Sequence, residues 1–136
     1  MTTQKLLMGT IVGWVVLFFL GYLIFGILLA DFFRANAGTA TGVEKMPMNL
    51  VAIGIGQLAA AGGLTLILSW VGVRGIAQGA TMAGVVGLLF FLGVDLTMFG
   101  TSNTSTFTVA LVDPVVAGIL YAIAGAAIAA VAGKKG

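Results

Sequence analysis

The sequence contains no cysteine and no histidine. Their absence removes disulfides, thiol chemistry, the most common general base and the most common ligands of zinc and haem. We therefore expect no metal site and no catalytic residues, and we predict that the protein is not an enzyme.

Charged side chains are also scarce. The 136 residues include four acidic and six basic side chains, so that 7% are charged, whereas a soluble domain has about 25%. This composition excludes a surface that faces water on all sides. The six cations are scattered along the chain and form no basic run, which excludes nucleic acid as a partner.

Long apolar runs take up most of the sequence. Hydrophobic residues make up 60% of it, with 21 glycines besides, and the mean hydropathy is +1.20. At about 1.5 Å per residue, a helical run of some 20 residues crosses the roughly 30 Å hydrocarbon core of a bilayer. Four runs reach that length: residues 6–30, 48–71, 77–99 and 109–133. They predict an all-α protein with one domain, residues 1–136, folded as an integral membrane four-helix bundle with short loops.

Proline and glycine mark where these helices begin and end. The second run opens after Pro47 and closes at Gly72. The fourth run carries Pro114 in its first turns, where a missing N–H group costs little.

The distribution of cations predicts the orientation in the membrane. Four spans place both termini on one side, with Lys5, Arg74, Lys134 and Lys135 on that side and Arg34 and Lys45 on the other. The positive-inside rule then predicts cytoplasmic termini in a bacterial inner membrane.

Two acidic residues lie inside apolar runs and define the candidate polar site. Asp95 is close to the end of the third run, and Asp113 is close to the start of the fourth. A carboxylate in a span costs roughly 2.5–3.5 kcal/mol at the helix centre, so such a side chain faces protein, water or a partner. The short connection between the two runs places both at similar depth. Two interpretations are open: a shared site for a proton or cation, or a structural network that caps the turn at residues 101–104.

Three further residues complete the candidate site. Arg34 follows Asp31 by three residues, a spacing that allows an ion pair on one helix face. Arg34 could instead reach Asp95 or Asp113 and neutralise the pair. Asn103 lies in the turn between the two runs and is a candidate hydrogen-bond partner for the acids.

Small residues indicate how the helices pack. In lipid, helices associate through close backbone approach at small residues and through polar contacts between helices. The candidate packing positions are Gly9, Gly13, Gly84, Gly87 and Gly118, with Gln57 as a polar contact to a neighbouring helix.

Aromatic side chains follow one side of the first helix at helical spacing. They are Trp14, Phe18, Tyr22 and Phe25. Such a face packs against other helices, against lipid, or against a bound lipid tail, carotenoid or quinone. The sequence does not distinguish these occupants, and we predict no obligatory cofactor.

The last 55 or so residues resemble a group of small bacterial membrane proteins of the domain-of-unknown-function type, which have four predicted spans. The resemblance is carried by residues 84–87 (GVVG), by residues 94–101 (VDLTMFGT) and by Val112-Asp113. The pattern of that group has Asn where this chain has Met98 and Ala where it has Gly100, and its Trp-Gly pair is missing here. The resemblance implies a four-span fold and places Asp95 and Asp113 in one site.

Two classes of function remain open from the sequence. The first, which we predict, is a non-catalytic accessory or scaffold subunit of a larger complex, which packs against membrane lipids, pigments, other transmembrane subunits or itself. The second is a small oligomeric carrier or sensor that binds a proton, a cation or a small amine at an outer acidic pocket.

Overall fold

Five helices make up the fold in the computed structural model, which describes residues 1–135. Their bounds are α1 Thr3–Leu28, α2 Ala30–Ala35, α3 Leu50–Val71, α4 Ile76–Thr101 and α5 Phe107–Ala132. All except α2 are long and apolar enough to cross a membrane. The all-α four-helix architecture expected from the sequence is therefore confirmed, and α2 is an additional short helix directly after α1.

Polar side chains fix where the long helices start. Thr2, Asn49 and Thr106 precede α1, α3 and α5, and each accepts a hydrogen bond from a backbone N–H group in the first turn. These contacts satisfy donors that a helix start leaves unpaired. At the other end of α3, Gly72 adopts the left-handed conformation with φ of 71°, which terminates the helix as the sequence predicts.

The helices pack in the order α3, α1, α5, α4. The most extensive interface joins α4 to α5, and α1 lies between α3 and α5. Although α3 and α4 are consecutive in the chain, they make little contact with each other. The bundle is therefore incompletely closed between α3 and α4.

The end of the bundle that carries both chain termini, here called the terminal end, is tightly packed. The N-terminal ammonium group donates to Ser69 Oγ at 3.1 Å, and the Lys134 N–H donates to the Val73 carbonyl at 2.9 Å. The buried apolar cluster includes Leu68 and Ile128 near this end and extends to Leu17 at mid-depth. The small and aliphatic side chains of this half hold the four long helices together.

The opposite end, here called the loop end, is formed by α2, the 36–49 connection and the 102–106 turn. Ala37 and Ser105 form an isolated antiparallel bridge, and the Ala40 N–H donates to the Asn103 carbonyl at 3.0 Å. The Thr106 hydroxyl donates to the Asn36 carbonyl at 2.6 Å. Because α2 ends at Ala35 and α3 begins at Leu50, the connection covers residues 36–49 rather than the 31–47 implied by the predicted runs. Backbone hydrogen bonds fasten it to the turn.

Helix α1 changes its winding halfway along. Thr3–Val15 is α-helical, whereas Val16–Leu20 and Tyr22–Leu28 are π-helical. The Leu29 N–H donates to the Ile24 carbonyl, five residues earlier, at 2.8 Å. Because a π-helical turn includes one more residue than an α-helical turn, side chains in this half are spaced differently from those of a uniform α-helix.

Pro114 lies deeper in its helix than we expected. Helix α5 begins at Phe107, earlier than the Val109 start indicated by hydropathy, so Pro114 is interior to the helix and buried. It therefore removes the backbone hydrogen bond that the Ala110 carbonyl would accept from residue 114.

Candidate functional site

Asp95 and Asp113 lie at the same depth on neighbouring helices. Asp95 is six residues before the end of α4 at Thr101, and Asp113 is six residues after the start of α5 at Phe107. At about 1.5 Å per residue, both α-carbons lie about 9 Å below the loop end of their helices. Both acids are therefore inside the apolar segments rather than at their ends.

The two carboxyl groups meet between α4 and α5. Their side chains are within hydrogen-bonding reach of each other. The Oδ2 atom of Asp95 is buried and has no hydrogen-bond partner among residues 1–135. Because two ionised carboxylates repel one another, this contact requires positive charge at the pair, in the form of protons or another cation.

Arg34 does not take part in this pair. Its guanidinium donates to Asp31 Oδ1 at 3.0 Å, on α2. Asp31 is 98% exposed, so this is a surface ion pair, and neither residue lies at the Asp95–Asp113 contact. The suggestion that Arg34 neutralises the acids is wrong, and the i,i+3 pairing is the arrangement that forms.

Asn103 also lies outside the acid pair. Its side chain is exposed, and its backbone carbonyl accepts the hydrogen bond from Ala40. The hydroxyl groups of the turn pair locally, with Ser102 Oγ and Thr104 Oγ1 2.7 Å apart. The turn therefore makes its own hydrogen bonds and leaves the two carboxyl groups to each other.

A partly open cavity of about 450 Å³ lies beside Asp113, in the half of the bundle nearer the loop end. The π-helical part of α1, the first turns of α3, Phe91 of α4 and the first half of α5 form its walls. Its volume falls within the range of about 300–1,000 Å³ that is typical of small-molecule sites. Asp113 is the only acidic or basic residue in its lining, within the described part of the chain.

Aromatic rings make up much of the cavity wall. They belong to Phe18, Tyr22, Phe25, Phe91 and Tyr121. The first three come from the aromatic face that the sequence predicts on α1.

Two features position the ring of Tyr121. Phe91 packs edge to face against it at 5.5 Å between ring centroids. At Gly87, a Cβ atom would approach the Cβ atom of Tyr121 to 2.7 Å, so glycine is what allows this tyrosine to sit so close to α4. Gly87 therefore contributes to the cavity as well as to helix packing.

Phe91 and Tyr121 were not among the predicted site residues, although their spacing from the two acids places each of them on the same helix face as an acid. Phe91 precedes Asp95 by four residues, and Tyr121 follows Asp113 by eight. Positions four and eight apart lie on one face of a helix. Both rings could therefore have been placed beside the acids once the two helices were assumed to face each other.

Gln57 lines the cavity opposite α5. Among the described residues, its side chain makes no hydrogen bond to another helix, so the polar contact that we expected does not form. The contact between α1 and α3 is made instead by the indole N–H of Trp14, which donates to the Gly54 carbonyl at 2.9 Å.

The predicted packing glycines lie between helices of the same chain. Gly9 and Gly13 face Ile128, and Gly84 and Gly118 face each other across α4 and α5. The closest approach of α4 and α5 was not predicted: a Cβ atom at Gly79 would lie 2.6 Å from the Gly125 carbonyl oxygen. Spacing alone did not single out this pair, because many glycines in the chain have similar neighbours.

A second cavity of about 750 Å³ lies at the loop end. It shares Phe25, Gly26, Met48 and Ile53 with the first cavity, so the two are adjacent. Its lining includes Arg34, Glu44 and Lys45. A polar, charged region therefore lies between the aromatic cavity and the loop end.

Across residues 1–135, no group of three or more His, Cys, Asp or Glu side chains is arranged to hold a metal ion.

Comparison with protein-family models, with curated proteins and with solved structures finds no match to this chain. The function must therefore be argued from the geometry of its own residues.

Proposed function

We propose that the chain is a non-catalytic protein of the cytoplasmic membrane that binds a cation at the Asp95–Asp113 pair, as a small carrier or sensor. The observation that carries this proposal is the contact between two carboxyl groups from different helices inside the apolar part of the bundle. A charged acid in a span is costly and typically marks an ion or proton path. A pair of acids in contact doubles the demand for positive charge.

Among the described residues, no positively charged side chain near the acid pair balances its charge, so a mobile ion must do so. Arg34, one of the two cations at the loop end, is already paired with Asp31. Within residues 1–135, the cavity wall beside Asp113 contains no lysine or arginine. A proton or another small cation is then the partner that balances the pair.

The proposed orientation places the terminal end in the cytoplasm. Met1, the α3–α4 turn and Lys134 lie at one end, and that end carries Lys5, Arg74, Lys134 and Lys135. Arg34 and Lys45 are at the other end. The excess of cations supports cytoplasmic termini under the positive-inside rule, and the acid pair would then be reached from the outer side.

Infrared difference spectroscopy of the protein in lipid nanodiscs tests the proposal. Changing the pH across the neutral range should alter the C=O band of protonated carboxyl groups, and adding a cation should alter the same band. Asp95→Asn and Asp113→Asn should each change this response, whereas the matched control Asp31→Asn should retain it. The cation site would be refuted if the carboxyl band changed with neither pH nor added cations and if Asp95→Asn and Asp113→Asn gave the same spectra as the unmodified chain.

An accessory role is a second candidate, and a stripe of small residues on α3 favours it. Ala52, Gly56, Ala59 and Gly63 are exposed on one face of α3, opposite the face that packs on α1. Apart from the backbone of its own helix, no described atom lies within 4 Å of a Cβ atom built at Gly56 or Gly63. Small residues with open space above them suit close approach by another transmembrane helix.

The accessory role is tested by native mass spectrometry and co-purification in mild detergent. Gly63→Leu should weaken an association made through α3, while Gly93→Leu, at an equally open position on α4, should not. A stable monomer, with the same proteins co-purifying with both variants as with the unmodified chain, would contradict this candidate. Leucine at Gly13 is not suitable for this test, because Gly13 is buried in the chain's own core.

A further inference from the structure

The aromatic cavity beside Asp113 combines two properties that restrict what can occupy it. Its wall is mostly apolar and aromatic, and its lining within the described chain includes a single carboxyl group. A neutral lipid tail would offer that carboxyl group no charge to balance its own. An inorganic cation would leave the aromatic and aliphatic surfaces around it without contacts.

Charge complementarity favours an occupant that is apolar and positively charged. A carboxylate attracts a cation directly. The faces of aromatic rings attract cations through the electrostatic field of the ring, with centroid distances of up to about 6 Å. Phe18, Tyr22 and Phe25 on α1 and Tyr121 on α5 line the cavity on two sides.

We propose that this cavity binds a small organic cation, an amine or ammonium compound with one positive charge and an aromatic or alkyl group. Its charged nitrogen lies against Asp113 and its apolar group lies among the aromatic rings. This inference rests on the proposed function, because Asp113 is one of the two acids of the cation site. It adds the chemical class of the ligand and the surface that recognises it.

Binding is coupled to the protonation of the acid pair. In an apolar environment the empty pair is least costly when protons cancel its charge. The incoming cation then takes the place of one proton, which leaves to the solvent, so that net charge is conserved. Asp95 of α4 faces Asp113. The other titratable groups on the cavity wall are Tyr22 of α1 and Tyr121 of α5. Helix α3 contributes the neutral side chain of Gln57.

The second cavity adjoins the aromatic cavity on the side of the loop end. The two share the lining residues Phe25, Gly26 and Met48. Glu44, Arg34 and Lys45 line the second cavity. A ligand that enters from the loop end therefore does not cross the tightly packed terminal end.

Isothermal titration calorimetry on the full chain in lipid nanodiscs tests the inference. The probe is benzyltrimethylammonium, and its control is neopentylbenzene, which has the same shape with carbon in place of the charged nitrogen. We expect the cation to bind at least about tenfold more tightly than the neutral compound, given the attraction of a carboxylate and ring faces. Titration in two buffers of different ionisation enthalpy should show about one proton released for each cation bound.

Three variants identify the groups that bind the probe. Asp113→Asn should reduce the affinity about a hundredfold or more, because it removes the charge that faces the ligand. Phe18→Leu should reduce it about fivefold, the effect of one lost ring face. Asp31→Asn, which changes an exposed acid that lines neither cavity, should bind the probe as the unmodified chain does. Circular dichroism of each variant establishes that it is folded.

The outcomes separate this inference from the proposed function. Equal binding of the cation and the neutral compound, or unchanged binding by a folded Asp113→Asn variant, overturns the inference. If Asp113→Asn does not fold, the comparison of the two probes on the unmodified chain decides alone. If no probe binds but the carboxyl infrared band still responds to pH and inorganic cations, the inference fails and the proposed function stands. If neither response is seen, both fail.

Discussion

The close approach of α4 and α5 at Gly125 makes a quantitative prediction about stability. A Cβ atom at Gly125 would collide with the Cβ atom of Ala83 and with the carbonyl oxygen of Gly79. From the other side, a Cβ atom at Gly79 would lie 2.5 Å from the Cβ atom of Ala129. Gly125→Ala therefore places a methyl group where the two helices leave no room.

The expected cost follows from what would have to move. Restoring ordinary contact distances of about 3.5 Å requires the helices to separate by about 1 Å. Overpacking of this kind costs typically 1–3 kcal/mol, and the value should be near 3 kcal/mol here because backbone atoms and a short alanine cannot rotate away. Alanine also gains about 1 kcal/mol over glycine in a helix interior. We expect Gly125→Ala to lower the free energy of unfolding by about 2 kcal/mol, the difference between these two effects.

Gly93→Ala is the matched control. Gly93 is interior to α4, and no atom lies within 4 Å of a Cβ atom built on it. This variant should gain up to about 1 kcal/mol from helix propensity alone. The two alanine variants should therefore differ by about 3 kcal/mol in opposite directions from the unmodified chain.

Reversible unfolding in mixed micelles with increasing dodecyl sulfate measures this difference. The fluorescence of Trp14 and Trp70 reports the transition, and neither residue is near the substituted positions in the sequence. If Gly125→Ala proves as stable as Gly93→Ala, the close contact between α4 and α5 does not exist as described.

Three further predictions concern other contacts. Trp14→Phe keeps a ring beside Phe18 but loses the hydrogen bond to the Gly54 carbonyl. This variant should lower the free energy of unfolding by about 0.6–1.7 kcal/mol. An unchanged unfolding transition would show that the hydrogen bond contributes nothing to stability. Thr106→Val removes the N-cap of α5 and the bond to the Asn36 carbonyl; hydrogen exchange in the 36–49 connection should accelerate, with no such change in the exposed control Thr108→Val. Because the chain has no native cysteine, Ser102→Cys should react with an impermeant thiol reagent in intact cells and Lys135→Cys only after permeabilisation; the reverse pattern would overturn the orientation.

The sequence by itself determined the number, type and approximate extent of the spans. In a bilayer every backbone polar group must find a partner within its own segment, so each long apolar run forms a helix independently of its neighbours. Local capping residues are equally readable: Gly72 ends α3, and Asn49 starts it shortly after Pro47. The common depth of Asp95 and Asp113 was also predictable, because one short turn joins their helices.

Other features were decided only by the tertiary structure. The sequence does not show that α1 lies between α3 and α5, or that α3 and α4 stay apart although they are consecutive. Small-residue spacings recur throughout a chain with 21 glycines, so they match many helix pairs about equally well. The Gly79–Gly125 contact is selected only when the helices are placed together.

The cavity is likewise a property of the assembled helices. Its walls combine side chains from α1, α3, α4 and α5, and they include the π-helical part of α1, a winding that we did not predict from the sequence. The sequence places Arg34 on the same side of the membrane as Asp31 and the two inner acids, so it allowed an ion pair with any of them. Only the tertiary structure shows that Arg34 lies on the exposed helix α2 and pairs with Asp31. Hydropathy and helix caps act locally and can be read from the chain, whereas packing between helices depends on distances that no single segment contains.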